Sequence, residues 1–281
     1  MSEITLRKFT DSDKPILADM VKRGNYEDYE EFLNDECLND LTIAEYKGTI
    51  AGFMFTGAYG GSSRVMILVS PEYRRRGIGT MLYDKAEILA REAKSDSVWS
   101  YSRNREETEG FVNKIGYTQI REMVHMKYTG DLLPEKDFII RKHTYDDFDR
   151  ASYISSRAWH ELRVRTGDTE SKIIEPTEQD RENARETSDN SYVIEDNGQI
   201  VGVGYINGDY ISGVCVDVAL YNRGYGRALT IFLTNEILRR GNKAAYLAYQ
   251  KGNDNAKHIY TTIGYEETYT SYCPLKKLRY N

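Results

Sequence analysis

The 281-residue sequence predicts a mixed α/β (α+β) fold that occurs twice in tandem, each copy a mostly antiparallel sheet flanked by helices. Three observations predict it. An opening strand with a helix cap recurs, a two-stranded hairpin recurs, and each hairpin precedes a strand, a Gly-rich turn and an amphipathic helix. About two domains are also expected from the length alone.

The opening repeat pairs ITLRKFTDSD (4–13) with FIIRKHTYDD (138–147). Arg7, Lys8, Thr10 and Asp13 recur as Arg141, Lys142, Thr144 and Asp147. In each copy an apolar run typical of a strand ends at a Thr or Asp that can accept from the free amides of a helix start. The pattern therefore predicts a strand followed by a capped helix.

The second repeat pairs LTIAEYKGTIAGFMF (41–55) with SYVIEDNGQIVGVGY (191–205). Each segment is an apolar, β-branched run interrupted by two turn-forming residues, Lys47-Gly48 and Asn197-Gly198. Such pairs are typical of tight hairpin turns, so each segment predicts two antiparallel strands.

A third strand, at 65–69 and 211–216, leads in each copy into the Gly-rich turn and a long helix with one apolar face. The apolar faces comprise Met81, Leu82, Ala86, Leu89 and Ala90, and Leu229, Phe232, Leu233, Ile237 and Leu238. A short strand (98–101; 244–249), a helix, a Gly-Tyr step and closing strands complete each copy. The second copy carries extra residues within 155–190.

A polar connector containing Gly130 and Pro134 separates the copies. We therefore predict one domain at 1–130, a linker at 131–137 and a second domain at 138–281.

Composition limits the partners. Charges of both signs are interspersed and the net charge is only -6, which argues against disorder and against a nucleic-acid-binding surface. No apolar run approaches the length of a membrane helix, and no metal-ligand spacing occurs. An odd cysteine count without a signal-peptide pattern favours a cytoplasmic location.

The most informative local pattern is the Gly-rich turn after the third strand. In the first copy it comprises Val69, Arg74, Arg75, Arg76, Gly77, Ile78, Gly79 and Thr80. Glycines let successive amides point into one concavity, and the helix start and arginines add positive charge, which suits a pyrophosphate. A basic helix entry without a ligand is the alternative. A dinucleotide-binding motif is excluded because Leu82 and Leu229 stand where its third glycine is needed.

The spacing Arg74-x-x-Gly77-x-Gly79 resembles the acetyl-CoA signature of the GNAT superfamily of N-acetyltransferases. The second copy keeps both glycines but has Tyr221 in place of the basic residue. The resemblance implies CoA binding there through Val216, Val218, Arg223, Gly224, Tyr225, Gly226, Arg227 and Asn253.

A second GNAT element occurs in the second copy as Asn253, Ala256, Tyr260 and Gly264-Tyr265. The resemblance implies that the Tyr260 hydroxyl lies near the coenzyme sulfur, where a phenol can protonate the leaving thiolate. Val112 occupies the same place in the first copy and cannot donate a proton. Asp217, at a strand end, is a candidate for accepting the amine proton, and a solvated carboxylate is the alternative.

The resulting prediction is direct acetyl transfer from acetyl-CoA to a small-molecule amine, with the chemistry in the second domain. Residues 168–189 hold eight acidic against three basic side chains, which favours either a cation-selecting lip over the acceptor site or a solvated helix face. The alternatives are a non-catalytic acyl-CoA-binding or sensing protein, an active site in the first domain, and a modifier of tRNA or ribosomes.

Overall fold

The computed structural model describes residues 3–24, 29, 32–34, 37–59, 61–103, 105–168, 171–186 and 188–280. The chain forms two compact units, Met1–Glu122 with Ser271–Asn281 (unit 1) and Met123–Thr270 (unit 2). In the described part of the chain, no helix is both long and apolar enough to cross a membrane.

The elements alternate as the sequence predicts. The first run comprises β1 (Ile4–Lys8), α1 (Lys14–Gly24), β2 (Leu41–Tyr46), β3 (Thr49–Tyr59), β4 (Ser62–Val69), α2 (Ile78–Glu92), β5 (Ser97–Trp99), α3 (Arg105–Lys114) and β6 (Gln119–Tyr128). The second comprises β7 (Ile139–Lys142), α4 (Phe148–Arg165), α5 (Glu178–Glu186), β8 (Ser191–Asp196), β9 (Gln199–Asn207), β10 (Tyr210–Val216), α6 (Tyr225–Arg239), β11 (Ala245–Gln250), α7 (Asp254–Ile263) and β12 (Glu266–Lys277).

Each unit contains one mixed sheet. In unit 1 the strands lie in the order β1-β2-β3-β4-β5, and the C-terminal part of β12 pairs with β5. In unit 2 the order is β7-β8-β9-β10-β11, with β6 beside β11. Among the strand pairs of the described residues named here, β4 with β5 and β10 with β11 are parallel and the others are antiparallel. The predicted mostly antiparallel class is therefore confirmed, whereas the boundaries at 130 and 138 follow the sequence repeat and remain a prediction.

The hairpin turns have the backbone that their sequences predict. Lys47 and Gly48 have φ of 52° and 80°, and Asn197 and Gly198 have φ of 49° and 73°. Two successive positive φ values define the turn whose twist matches the flanking strands. The register also shifts at the same place in both hairpins, after Ala44 and after Ile194.

Helices cover both faces of each sheet. In unit 1, α2 buries Leu82 and Ala86 on one face, and α1 buries Leu17 on the other. In unit 2, α6 buries Leu229 on one face and α4 buries Ile154 on the other. This layering leaves the ends of β4 and β10, where each turn begins, at the rim of its sheet.

The residues shared by the opening repeats form one network in each unit. Arg7 donates to both carboxylate oxygens of Asp13 at 2.7 and 2.8 Å, and Asp13 accepts from the backbone of Thr10. Arg141 holds Asp147 in the same way at 2.6 and 2.9 Å. The Arg7 hydrogen bonds lower the pKa of Asp13 to about 2, and Arg141 likewise lowers the pKa of Asp147.

We expect the double variant Asp13→Asn, Asp147→Asn to be less stable at pH 7 and less sensitive to acid. A carboxyl group whose pKa is lowered by folding stabilises the fold above its unfolded pKa, and this contribution disappears as pH falls through the folded pKa. The free energy of unfolding of the wild-type protein should therefore decrease between about pH 4 and pH 2, by about 1–2 kcal/mol for each site. Urea unfolding across this range checks it, and parallel pH profiles for both proteins would contradict it.

Candidate active site

Each sheet opens at its parallel strand pair. β4 pairs with β5 over Ser62–Arg64, and β10 pairs with β11 at Tyr210 and Tyr246. Beyond these positions the described residues of the two strand pairs form no further ladder. The Asp217 amide donates to the Val201 carbonyl of β9. Because the backbone groups of successive residues in a strand point to opposite sides, those of Val214 and Val216 point away from β9, towards the opening. Each unit thus has a slot beside an unpaired strand edge.

The turn after this strand has the same backbone in both units. Arg75 and Gly77 have φ of 62° and 86°, and Asn222 and Gly224 have φ of 65° and 87°. Gly77 and Gly224 immediately precede α2 and α6. Left-handed residues just before a helix make a concavity of backbone amides that accommodates an anion, so both turns fit a pyrophosphate.

The second glycine of each turn serves helix packing. A Cβ on Gly79 would lie 3.3 Å from the Phe111 ring, and one on Gly226 would lie 3.6 Å from Ile259. The next helix thus lies close to the turn. Thr80 and Arg227 reinforce this arrangement, because Lys114 donates to Thr80 at 3.4 Å and Arg227 donates to Thr262 at 2.7 Å.

Several residues predicted to bind the coenzyme have side chains directed elsewhere. Ile78 is buried in the core, and the buried Tyr225 donates its hydroxyl to Asp196 at 2.5 Å. Arg76 lies over the Tyr46 ring, 5.0 Å from its centroid. For Ile78 and Tyr225, the backbone N–H groups rather than the side chains can contact a phosphate, because the free N–H groups at a helix start point out of the helix towards the turn.

The two slots differ in their strand edges. In unit 1 the Tyr29 hydroxyl donates to the Ile67 carbonyl at 2.8 Å, and Arg74 Nε donates to the Val69 carbonyl at 3.1 Å. The corresponding carbonyls of unit 2 belong to Val214 and Val216, and no described side chain donates to either. The edge of β10 is therefore available to an external chain with amide groups, whereas side chains already satisfy the edge of β4.

Tyr260 lies on α7 in unit 2 and is buried, and none of the described residues hydrogen-bonds its hydroxyl. Burial, together with the nearby Cys215 thiol, raises the pKa of this hydroxyl, which keeps it protonated at neutral pH. Val112 packs in the core at the corresponding place of unit 1. Burial also raises the pKa of the Cys215 thiol to about 12, so this thiol is a poor nucleophile at neutral pH.

Asp217 and Asn253 both cap local structure. Asp217 Oδ1 accepts from the Ala219 amide at 3.0 Å, and Oδ2 pairs with Arg150 at 2.5 Å. Asn253 Oδ1 accepts from the Ala256 amide at 3.4 Å and from Arg165 at 3.1 Å. Asp217 would have to break an ion pair to accept a proton, so the geometry gives its predicted role no support.

A carboxylate that the sequence analysis missed lies on α4. Glu161 Oε1 accepts from Arg165 Nε at 3.0 Å, while Oε2 is buried and has no hydrogen-bond partner among the described residues. Burial and this carboxylate raise the pKa of Tyr221, in the turn after β10, to about 12. Glu161 therefore lies close enough to the turn after β10 to act on Tyr221. A glutamate on an amphipathic helix reads from sequence as an ordinary solvated charge, so no pattern could have identified it.

Residues 168–189, the acidic insertion, pair with α4 at Arg157 and Asp149, which precede Glu161 in the helix. Glu175 pairs with Arg157, and Asp180 accepts from the Thr177 amide at 2.8 Å as a cap of α5. Thr169, Glu170 and Thr187 of this segment lie outside the described residues. Local ion pairs and capping thus account for two of its carboxylates, and a role in selecting cations remains a prediction.

No cluster of metal-ligating side chains occurs among the residues that the structure describes.

Comparisons with known proteins address the family. A model of the acetyltransferase (GNAT) domain matches residues 38–119, and a model described as FR47-like protein matches residues 205–273. Curated protein sequences give no match.

Solved structures resemble the chain over nearly its full length. A GCN5-related N-acetyltransferase from Sphaerobacter thermophilus is 16% identical, with a TM-score of 0.70 over 100% of this chain and 98% of that chain. A putative acetyltransferase from Pyrococcus horikoshii is 12% identical, with a TM-score of 0.63 over 99% and 91%. A tandem GNAT protein from the clavulanic acid biosynthesis pathway is 14% identical, with a TM-score of 0.55 over 86% and 83%. Residues 38–119 therefore match the acetyltransferase (GNAT) domain, and the chain has the fold of GNAT-related N-acetyltransferases, tandem proteins among them.

Proposed function

We propose that unit 2 transfers an acetyl group from acetyl-CoA directly to a small-molecule amine. The observation that carries the proposal is the difference between the two slots. The Val214–Val216 edge is open in unit 2, whereas Tyr29 and Arg74 satisfy the corresponding edge of unit 1. A ligand with amide groups can extend a sheet edge as an added strand would, and the pantetheine arm of CoA contains two amides.

Different residues of unit 2 would bind the pyrophosphate, bind the pantetheine arm and protonate the leaving sulfur. The turn at Asn222–Gly224 would hold the pyrophosphate through its amides, and the edge of β10, including Val216, would hold the arm. Bound acetyl-CoA supplies a thioester as the acyl donor. Tyr260 is suited to donate to the leaving sulfur, because its phenol is protonated at neutral pH and no described residue hydrogen-bonds its hydroxyl. Holding both reactants together can contribute about 7–11 kcal/mol of rate enhancement when they are well oriented.

Glu161 supports a cationic amine as the acceptor. Its Oε2 is buried and without a described partner, so an ammonium group could donate to it and lose its proton there, directly or through water. Trp159 adds aromatic surface on the same helix and is 40% exposed, which suits the apolar part of an amine or its cation. The thiols of Cys37, Cys215 and Cys273 accord with a cytoplasmic location.

The test is release of free thiol from acetyl-CoA with a panel of neutral and cationic amines. We expect amine-dependent release, and we expect Glu161→Gln to raise KM for cationic amines about tenfold while KM for acetyl-CoA is unchanged, since one charged hydrogen bond is lost. CoA binding without amine-dependent release would indicate the non-catalytic alternative. A variant neutralised at Glu175, Glu178 and Asp180 is the control. If KM rises only in that control, the insertion selects the cation.

A further inference from the structure

The linker, residues 131–137, is held against α6 of unit 2 by hydrogen bonds. Asn235 on α6 is fully buried, and its amide group both accepts from the Leu133 backbone at 2.8 Å and donates to the Leu133 carbonyl at 2.9 Å. Glu135 accepts from Asn235 and from Arg239, each at 2.7 Å. A buried side-chain amide with these partners fixes the linker's position, because losing them would leave it unsatisfied.

This attachment brings one ammonium group to the phosphate turn. The Lys136 Nζ lies 3.7 Å from the position that a Cβ would take on Gly224. Phe138, two residues on, packs edge-on against Tyr225, the first residue of α6, with ring centroids 5.5 Å apart. Lys136 thus stands between two anchored positions, and no described residue forms an ion pair with it.

Unit 1 lacks this arrangement and has a compensating charge of its own. Ile88 occupies the α2 position that corresponds to Asn235 and is 51% exposed, so the described part of the chain leaves that helix face open. No atom of the described residues lies within 4 Å of a Cβ placed on Gly77. The unit 1 turn instead carries Arg74, where unit 2 has Tyr221.

We propose that Lys136 is a phosphate-binding residue of the coenzyme site in unit 2, supplied by the linker in place of the basic residue that Tyr221 replaces. The inference rests on the proposed function of unit 2. An ammonium beside a concavity of amides adds a charge-assisted hydrogen bond to a phosphate oxygen. The linker therefore has a binding role in addition to joining the two sequence repeats.

Calorimetry tests this in a Gly77→Asp background, so that unit 1 does not contribute. The ligands are CoA, dephospho-CoA, which keeps the pyrophosphate, and pantetheine, which lacks phosphate. We expect Lys136→Ala to weaken CoA and dephospho-CoA binding about tenfold at low salt, to leave pantetheine binding unchanged, and to have less effect at 1 M salt. Lys136→Arg should restore affinity to within about threefold, and Lys243→Ala, an exposed lysine elsewhere in unit 2, should have no effect.

Three results would overturn the proposal, and they differ from one another. If CoA does not bind the Gly77→Asp protein at all, the proposed function of unit 2 fails and the inference fails with it. If CoA binds and Lys136→Ala leaves affinity unchanged, the lysine is a bystander. If pantetheine binding falls as much as CoA binding, Lys136 supports the fold of the turn rather than the phosphate.

Discussion

Replacing Tyr260 with phenylalanine is expected to lower kcat by about 10²- to 10⁴-fold and to leave the affinity for CoA nearly unchanged. The loss is this large because the hydroxyl acts on the leaving thiolate, an interaction that exists only as the carbon–sulfur bond breaks. Removing one oxygen from a buried ring that lacks a described hydrogen-bond partner leaves the packing around α7 in place. The measurement is steady-state kinetics with the best amine of the panel, with CoA titrated by calorimetry.

Two controls separate chemistry from structure. Tyr249→Phe removes a phenol that donates to Glu267 at 2.8 Å in the same unit, and kcat should stay within a few fold. Arg76→Ala, in the turn of unit 1, should likewise leave kcat within a few fold. If Tyr260→Phe retains full activity and Arg76→Ala is inactive, the catalytic centre lies in unit 1.

The fold could be predicted from sequence because its determinants are local. Asn197 and Gly198 readily adopt the two positive φ values of a tight turn, so this pair predicts a hairpin. The strand that follows is predicted from its apolar pattern alone. The opening repeat predicted a capped helix start, whereas the ion pair between Arg141 and Asp147 became apparent only in the structure. The pairing of β6 with β11 and of β12 with β5 was not visible, because a closing strand carries the same alternating pattern whichever sheet it joins.

The site was only partly predictable, for a related reason. Glycine spacing located both turns, since a left-handed backbone before a helix leaves a sequence trace. What distinguishes the two slots is nonlocal. Tyr29 reaches Ile67 across 38 residues, and Asn235 holds Leu133 across 102. A buried asparagine on α6 and an unpaired strand edge leave no repeating pattern in the sequence. The open slot of unit 2 therefore became apparent only in the structure.

Gly224→Asp in unit 2 is expected to impair acetyl transfer far more than the matched change Gly77→Asp in unit 1. Gly224 has φ of 87°, a conformation that costs an L-residue about 1 kcal/mol or more, and the new carboxylate would enter the amide concavity and repel the phosphates. Together with lost charged hydrogen bonds of about 1.5–3 kcal/mol, we expect kcat/KM for acetyl-CoA to fall at least about a hundredfold.

Gly77→Asp makes the same chemical change in unit 1, where φ is 86°, so the strain on the backbone is matched. We expect it to weaken any CoA binding by unit 1 at least about tenfold, because the same charge enters the same concavity, while acetyl transfer stays within a few fold. Calorimetric stoichiometry of the two variants shows which turns bind CoA. If Gly77→Asp removes activity and Gly224→Asp does not, catalysis depends on the arginine-rich turn. In that case the open edge of β10 serves another ligand.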